Sequence, residues 1–183
     1  MIPKASFFDD QIVIRPFERV DALALYGAVS ESSSALMPYM SWCHENYLLS
    51  DASDWVESRD YAWATGEEYS FAILQRQSGT LAGSVGLNQI NRVHRFCNLG
   101  FWVRSTLIKQ GMATAATRLA ARFALLHLGL KRVEILAMIP NIASRRVAEK
   151  AGARPEGILR KRLFVHERAH DAALYSLVSE DLK

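Results

Sequence analysis

An apolar, strand-like run from Phe96 to Val103 passes through a short polar turn into a segment where Met112, Ala116, Leu119, Phe123 and Leu126 recur at three- and four-residue steps. A second apolar run, Arg132 to Ile139, follows Gly129. The outer runs read as strands, the middle spacing as a helix, and Gly129 as its C-cap. Strand, helix and strand in this order make a right-handed crossover, so the two strands should lie parallel and adjacent. Their C-terminal ends then face the same edge as the helix N-terminus. Open α/β sheets bind ligands on that edge.

The turn itself, Val103 to Ala113, has a chemical reading. Gly111 and the small alanines at the helix start let foreign atoms approach the backbone, and a helix's first turn leaves N–H donors unpaired at its positive end. Such a terminus receives anions, and a diphosphate fits it. Strand–turn–helix units with one glycine are also common as plain scaffold, so the rest of the chain has to decide.

In chain order, Gln11 to Phe17 alternates and is stopped by Pro16, which suits an edge strand or a strand end. Asp21 looks like the N-cap of a helix carrying Leu25 and Val29 and ending in the run Ser32-Ser33-Ser34. Ala35 to Leu49 has no clean period but holds Met37, Met40, Trp42 and Tyr47, which must pack on the core or on a ligand. Ser50 or Ser53 caps a second helix through Trp55, Val56, Arg59 and Trp63, closed by Gly66. Tyr69 to Arg76, Leu81 to Ile90 and Phe96 to Val103 form a β-meander that feeds the turn. After Pro140-Asn141, Ala143 to Ala151 reads as a short helix closed by Gly152, and Asn141 can cap it or bond to an opening strand. Gly157 to Val165 and Ala172 to Val178 are final strands joined by a polar hairpin with His166, Glu167, Arg168 and His170. Counted together these make a mixed α/β (α+β) sheet of seven strands.

Length and composition exclude other classes. At 183 residues the chain reads as one domain, 1–183, able to bury a core. Half the residues are apolar and 22% charged, which argues against disorder. No apolar run approaches a membrane span, and Met1 to Asp10 lacks the apolar core of a signal peptide, so a cytoplasmic protein with no membrane partner is expected. Cys43 and Cys97 have no metal-ligand spacing, the histidines are scattered, and no metal site is expected. The net charge of +3 suits an anionic ligand, with basic clusters at Lys131-Arg132, Arg145-Arg146 and Arg160 to Arg162. Nothing in these clusters specifies direct nucleic-acid binding.

With Gly111-Met112-Ala113 after the meander and Asn141-x-x-Ser144-x-x-Val147-Ala148-Glu149-Lys150-x-Gly152 after the next strand, the chain resembles the GNAT superfamily of acetyl-CoA-dependent N-acetyltransferases. Ile14-Arg15-Pro16, Leu99-Gly100-Phe101-Trp102 and Asp171-x-x-x-Tyr175-Ser176-Leu177 extend the resemblance to the RimJ/RimL branch. It implies the GNAT fold: a mostly antiparallel sheet with its parallel pair splayed at the centre and helices on both faces. It implies that Trp102 and Val103 meet the pantetheine arm of acetyl-CoA, and that Ile108, Lys109, Gln110, Gly111, Met112, Ala113 and Thr114 wrap its pyrophosphate. Asn141 and Ser144 would lie near the thioester. Lys109, Arg145, Arg146 and Lys150 are candidates for the adenosine phosphates. Two departures stand out: Ile108 replaces the family's Arg or Gln, and Lys109 stands where a second glycine is common. Ala148 occupies the position of the tyrosine that many members use as general acid.

Acetyl transfer to an amine needs a neutral amine, donors for a developing oxyanion and a proton for the leaving thiolate. Ser144 is the candidate for the last of these. Asn98 stands where related sequences often carry a glutamate base, and an amide cannot take a proton; His94, Glu134 or a water chain are the alternatives. The resemblance implies an acceptor entering between Met40, Trp42 and the hairpin around His166. That acceptor would be the N-terminal amine of a protein, foremost a ribosomal one, or else a small amine; a non-catalytic CoA-binding regulator is a third reading. A homodimer is an expectation from the family alone.

Overall fold

Alternation at period two builds most of the sheet. The structure, a computed structural model, describes residues 4–182; Met1–Pro3, the start of the stretch scanned for a signal peptide, and Lys183 lie outside them. Along the meander strands β3 (Tyr69–Gln75), β4 (Leu81–Asn91) and β5 (Phe96–Val103), successive side chains serve opposite faces. Phe71, Ile73, Cys97 and Leu99 enter a core shared with Met112, Ala116 and Phe123 of the crossover helix, while Ala72 and Trp102 enter a second core with Leu25, Val29 and Val56. Two helices, α1 (Ala22–Leu36) and α2 (Leu49–Thr65), supply that second core; α3 (Met112–Arg122) and α4 (Ile142–Ala151) belong with the first. Both cysteines are buried and free. Burial pushes the Cys97 thiol up to about 12, so it packs as an inert apolar group.

Among the described residues the sheet has eight strands in the order β1-β2-β3-β4-β5-β6-β8-β7, with β1 (Phe7–Phe8), β2 (Ile12–Pro16), β6 (Arg132–Met138), β7 (Arg154–Val165) and β8 (Arg168–Leu177) completing it. Every neighbouring pair is antiparallel except β5 and β6. The strand beyond the expected seven is β1, two residues long and defined by its pairing with Ile14 and Val13. A segment that short has no period to read.

Several local expectations shift. The serine run does not end α1, which continues to Leu36; Ser33 bonds back to the Ser30 carbonyl, and the buried Ser32 hydroxyl accepts from Ser105 N beyond the helix, so neither hydroxyl competes with the helix backbone. Asp21 stands at the α1 N-cap, but its carboxylate accepts from Glu18 N and from the Arg15 guanidinium rather than from the helix. Ser50 and Ser53 lie inside α2, whose first turn is closed by Asp51 accepting from Leu48 N at 2.7 Å; Gly66 ends it in the left-handed conformation. Leu126, expected on the buried stripe of α3, is exposed because Phe123–His127 forms a π-turn. One extra residue per turn rotates the later positions off the face, and Leu125 is buried instead. The β7–β8 turn is only His166-Glu167, both at positive φ as a two-residue hairpin of primed type requires, so Arg168 and His170 are strand residues.

Candidate functional site

The parallel pair is joined by very little. Only Phe96↔Arg132, Cys97↔Val133 and Asn98↔Glu134 are in register, although β5 runs on to Val103 and β6 to Met138. Beyond Asn98 the two strands part, leaving Leu99–Val103 without a neighbour on that side. A cleft of about 950 Å³ opens there, lined by Leu99 to Trp102, Ile135 to Met138, Asn141 and Ser144. The cleft is lined as well by Met40, Trp42, Tyr47 and Trp55, by Asp51, Asp54 and Glu68, and by Arg162 to Val165 of β7.

The β7–β8 hairpin reaches over this cleft. The His166 ring Nε2 donates to the Met37 carbonyl at 2.8 Å, and Arg162 Nη2 donates to Gln89 Oε1 at 3.3 Å. Burial pushes the Tyr47 hydroxyl up to about 12, so it remains a protonated donor at neutral pH.

Between β5 and α3 the chain forms the anion site. Lys109 has φ 62° and Gly111 φ 86°, and the Gln110 carbonyl between them accepts from Gln11 Nε2 at 2.6 Å. Lys109 thus adopts the left-handed conformation that a glycine would supply more cheaply. Among the described residues, no hydrogen bond engages the backbone N–H groups of Lys109 to Thr114. A ring of free donors at the positive end of an 11-residue helix fits a diphosphate. Beside it lies a recess of about 590 Å³ lined by Gly111, Thr114, Arg118, Arg122 and Lys150.

A tether from α1 holds the turn in place. Glu31 accepts from Thr106 N at 3.1 Å, Thr106 Oγ1 at 2.7 Å and Arg104 Nε at 3.0 Å, and Ser32 Oγ accepts from Ser105 N at 2.9 Å. The Arg104 guanidinium, with Thr106, holds the Glu31 carboxyl at about 2. Because the folded value lies below the ordinary one, this stabilisation is complete above about pH 4.5 and is lost as pH falls toward about 2. Denaturation of wild type and Glu31→Gln across this window should show a difference of about 1 kcal/mol at neutral pH, screened by partial exposure, that vanishes at acid pH.

The remaining residues fall into groups. Asn141 Oδ1 accepts from Ser144 N at 3.0 Å and so caps α4, leaving the Ser144 hydroxyl to the cleft. Arg145 is committed to the Tyr175 hydroxyl and the Ile139 carbonyl, whereas Arg146 is exposed. Glu134 is paired with Arg132. His94 sits in the exposed β4–β5 turn, where its N–H donates to Asn91 Oδ1. Ile108 is exposed ahead of the turn, and Ala148 is fully buried. Glu31 and Ser32, each 73 positions from its partner, Arg104 or Ser105, could not be seen from the sequence, and Arg118 and Arg122, whose helical step of four places both beside the turn, were not picked out either. Among the described residues no group of three or more His, Cys, Asp or Glu could hold a metal ion, and no helix is long and apolar enough to cross a membrane.

The profile of the acetyltransferase (GNAT) domain matches residues 11–154. "Putative ribosomal N-acetyltransferase YdaF" of Bacillus subtilis (strain 168) is 29% identical over 178 residues, covering 94% of each chain. Among solved structures, the Microcin C7 self immunity acetyltransferase MccE in complex with acetyl-CoA and AMP superposes with a TM-score of 0.85 at 22% identity, over 93% of both chains. The RimL ribosomal L7/L12 alpha-N-protein acetyltransferase in complex with coenzyme A gives 0.84 at 18% identity, over 97% of both chains. At these identities the structural likeness is one of fold.

Proposed function

The chain belongs to the GNAT acetyltransferase family and is an acetyl-CoA-dependent N-acetyltransferase of RimJ/RimL-like type; within that activity we propose that its acceptor is the N-terminal amine of a ribosomal protein. The observation that carries this reading is the size of the cleft. At about 950 Å³ it lies at the upper end of small-molecule sites and runs from the strand splay out between the Met40–Trp42 wall and β7, which suits an extended peptide. The name of the YdaF relative points the same way. A ribosomal-protein acceptor would make this a cytoplasmic enzyme, and we read residues 1–183 as one domain.

One observation favours a second reading. Asp51, Asp54 and Glu68 line the cleft, and with Glu68 paired to Arg59 at 2.9 Å, Asp51 and Asp54 leave acidic character there that suits a small amine carrying more than one positive charge.

Acetyl-CoA supplies the acetyl group and a thiol leaving group: the C–N bond forms as the C–S bond breaks, the amine proton leaves to solvent and the thiolate takes up a proton. The chain's own groups position these events. Free N–H groups of the Lys109–Thr114 turn, with Gly111 giving close approach, hold the diphosphate; Arg118, Arg122 and Lys150 add charge beside it, with Arg146 on the exposed face of α4. The open edge at Trp102 and Val103 receives the extended arm, and the Asn141 cap fixes the turn that carries Ser144. The Ser144 hydroxyl donates to the sulfur. His94, out on its turn, is not needed as a base, because orientation in the cleft supplies much of the rate.

Thiol release from acetyl-CoA, followed with peptides bearing free N-termini beside a panel of small amines, tests the acceptor. Turnover confined to the small amines would exclude the N-terminal reading. Ser144→Ala should lower kcat about tenfold or more while leaving acetyl-CoA affinity within about threefold. An unchanged kcat would remove Ser144 from the mechanism.

A further inference from the structure

One positive charge on the cleft wall is already held by side chains. Asp51, Asp54 and Trp55 stand at steps of three and four on α2 and share its cleft-facing side. One turn on, the Arg59 guanidinium lies over the Trp55 indole, its Cζ 4.5 Å from the ring centroid, and pairs with Glu68 at 2.9 Å. An aromatic face with a carboxylate beside it is thus how this wall takes a cation.

The same two components recur on this cleft without a basic side chain. The Trp42 ring centroid lies 6.0 Å from that of Trp102 and 6.2 Å from that of Tyr47, with planes inclined at 51° and 61°. Trp42 is 41% exposed, so its ring still offers surface to the cleft that all three line. His44 joins the rings to the acidic side: it lies 6.0 Å from Tyr47, ring to ring, and its Nε2 is 3.8 Å from Asp51 Oδ2. Asp51 also accepts from Leu48 N, whereas the exposed Asp54 carboxylate makes no hydrogen bond or ion pair among the described residues. No described lysine or arginine pairs with either acid; Arg162, which also lines the cleft, donates to Gln89.

We propose that the Trp42 and Tyr47 rings, with Asp54 and Asp51, form a subsite for a second positive charge on the acceptor, an ammonium or guanidinium group held beyond the amine that is acetylated. This rests on the acetyltransferase reading and narrows its substrate class. Trp102 lines the splay and Trp42 stands against it, so the charge lies close to the reacting nitrogen. In an extended peptide, advancing about 3.5 Å per residue, that is a basic side chain within the first few residues; in a small amine it is a second amino group on a short alkyl chain. Bound there, the charge exchanges water for a ring face and a carboxylate, as Arg59 does on Trp55 and Glu68.

The test sets each charged acceptor beside a neutral isostere: peptides with lysine or norleucine at the second and third positions, and a linear diamine with the alkylamine of equal length. Each is titrated calorimetrically into the full chain saturated with CoA, and kinetics with acetyl-CoA follow. The lysine peptide or the diamine should bind about tenfold or more tightly than its isostere, and which of them does so identifies the source of the charge. Asp54→Asn and Trp42→Leu should each cut that preference to about threefold or less, with acetyl-CoA affinity within about threefold of wild type. Asp54 is substituted rather than Asp51 because Asp51 also closes the first turn of α2. Equal binding of charged and neutral acceptors by wild type overturns the proposal, as does a preference that survives either substitution. Calorimetry reads the subsite whether or not the acetyl group moves, so wild type that keeps the preference but turns over nothing overturns the catalytic reading alone.

Discussion

Gly83→Ala should destabilise the protein by about 3 kcal/mol or more, the range of severe overpacking. A Cβ on Gly83 would lie 2.1 Å from the Trp102 carbonyl oxygen and 2.9 Å from Val103 Cα. Both are backbone atoms, so no side-chain rotation relieves the contact. Gly83 pairs directly with Val103, and the next link, Arg104 N to the Ala82 carbonyl at 2.8 Å, delivers the chain to its tether on α1. Relief therefore means parting β4 from β5 at the strand end that borders the cleft. Chemical denaturation beside Gly100→Ala measures this, since the control adds a methyl to open space and should stay within about 1 kcal/mol of wild type. A Gly83→Ala midpoint matching the control would refute the argument.

The second large effect concerns a buried ion pair. Asp21 is 6% exposed and accepts from both Arg15 guanidinium nitrogens, at 2.7 and 2.8 Å, and from Glu18 N at 2.8 Å. Asp21→Ala leaves the Glu18 N–H without its acceptor and the partly buried Arg15 with only the Pro16 carbonyl at 3.0 Å and the Glu18 carboxylate at 3.8 Å, which should cost about 3 kcal/mol. Asp21→Asn can still accept from Glu18 N and should cost less. The double variant Arg15→Met with Asp21→Leu removes both charges and should recover most of the loss, because burying the pair has a desolvation penalty of its own. The double-mutant cycle in urea reads the coupling directly; additive losses would show that the pair is not the source of the effect.

Legibility in the sequence followed the range of the interaction. The crossover, the Asn141 cap and the left-handed Gly66 and Gly152 could be read because each depends on a few neighbouring residues and their spacing. The π-turn at Phe123–His127 is decided by tertiary packing, so the helical stripe predicted the wrong leucine. Lys109 takes a backbone conformation its residue type disfavours, held where the Gln11 side chain bonds the next carbonyl; the departure from glycine changes the side chain presented there, while the left-handed turn is kept. For the candidate site, the splay was expected from resemblance and appears in the register. The Glu31 tether and the meeting of Trp42 with Trp102 could not be seen, since both exist only once distant segments are paired.

The three-rung junction between β5 and β6 also gives the sheet an edge in its own interior. At the rim of a sheet, unpaired N–H and carbonyl groups recruit any extended chain that drifts past, and proteins blunt such rims to stay out of aggregates. Here the same groups face a gap walled on its other side by Ile135 to Met138, so another folded copy cannot reach them. What can reach them is something narrow enough to thread between two diverging strands. The junction acts as a gauge: it turns an aggregation hazard into a slot selective for slender, extended ligands, and the divergence of the strands sets the calibre.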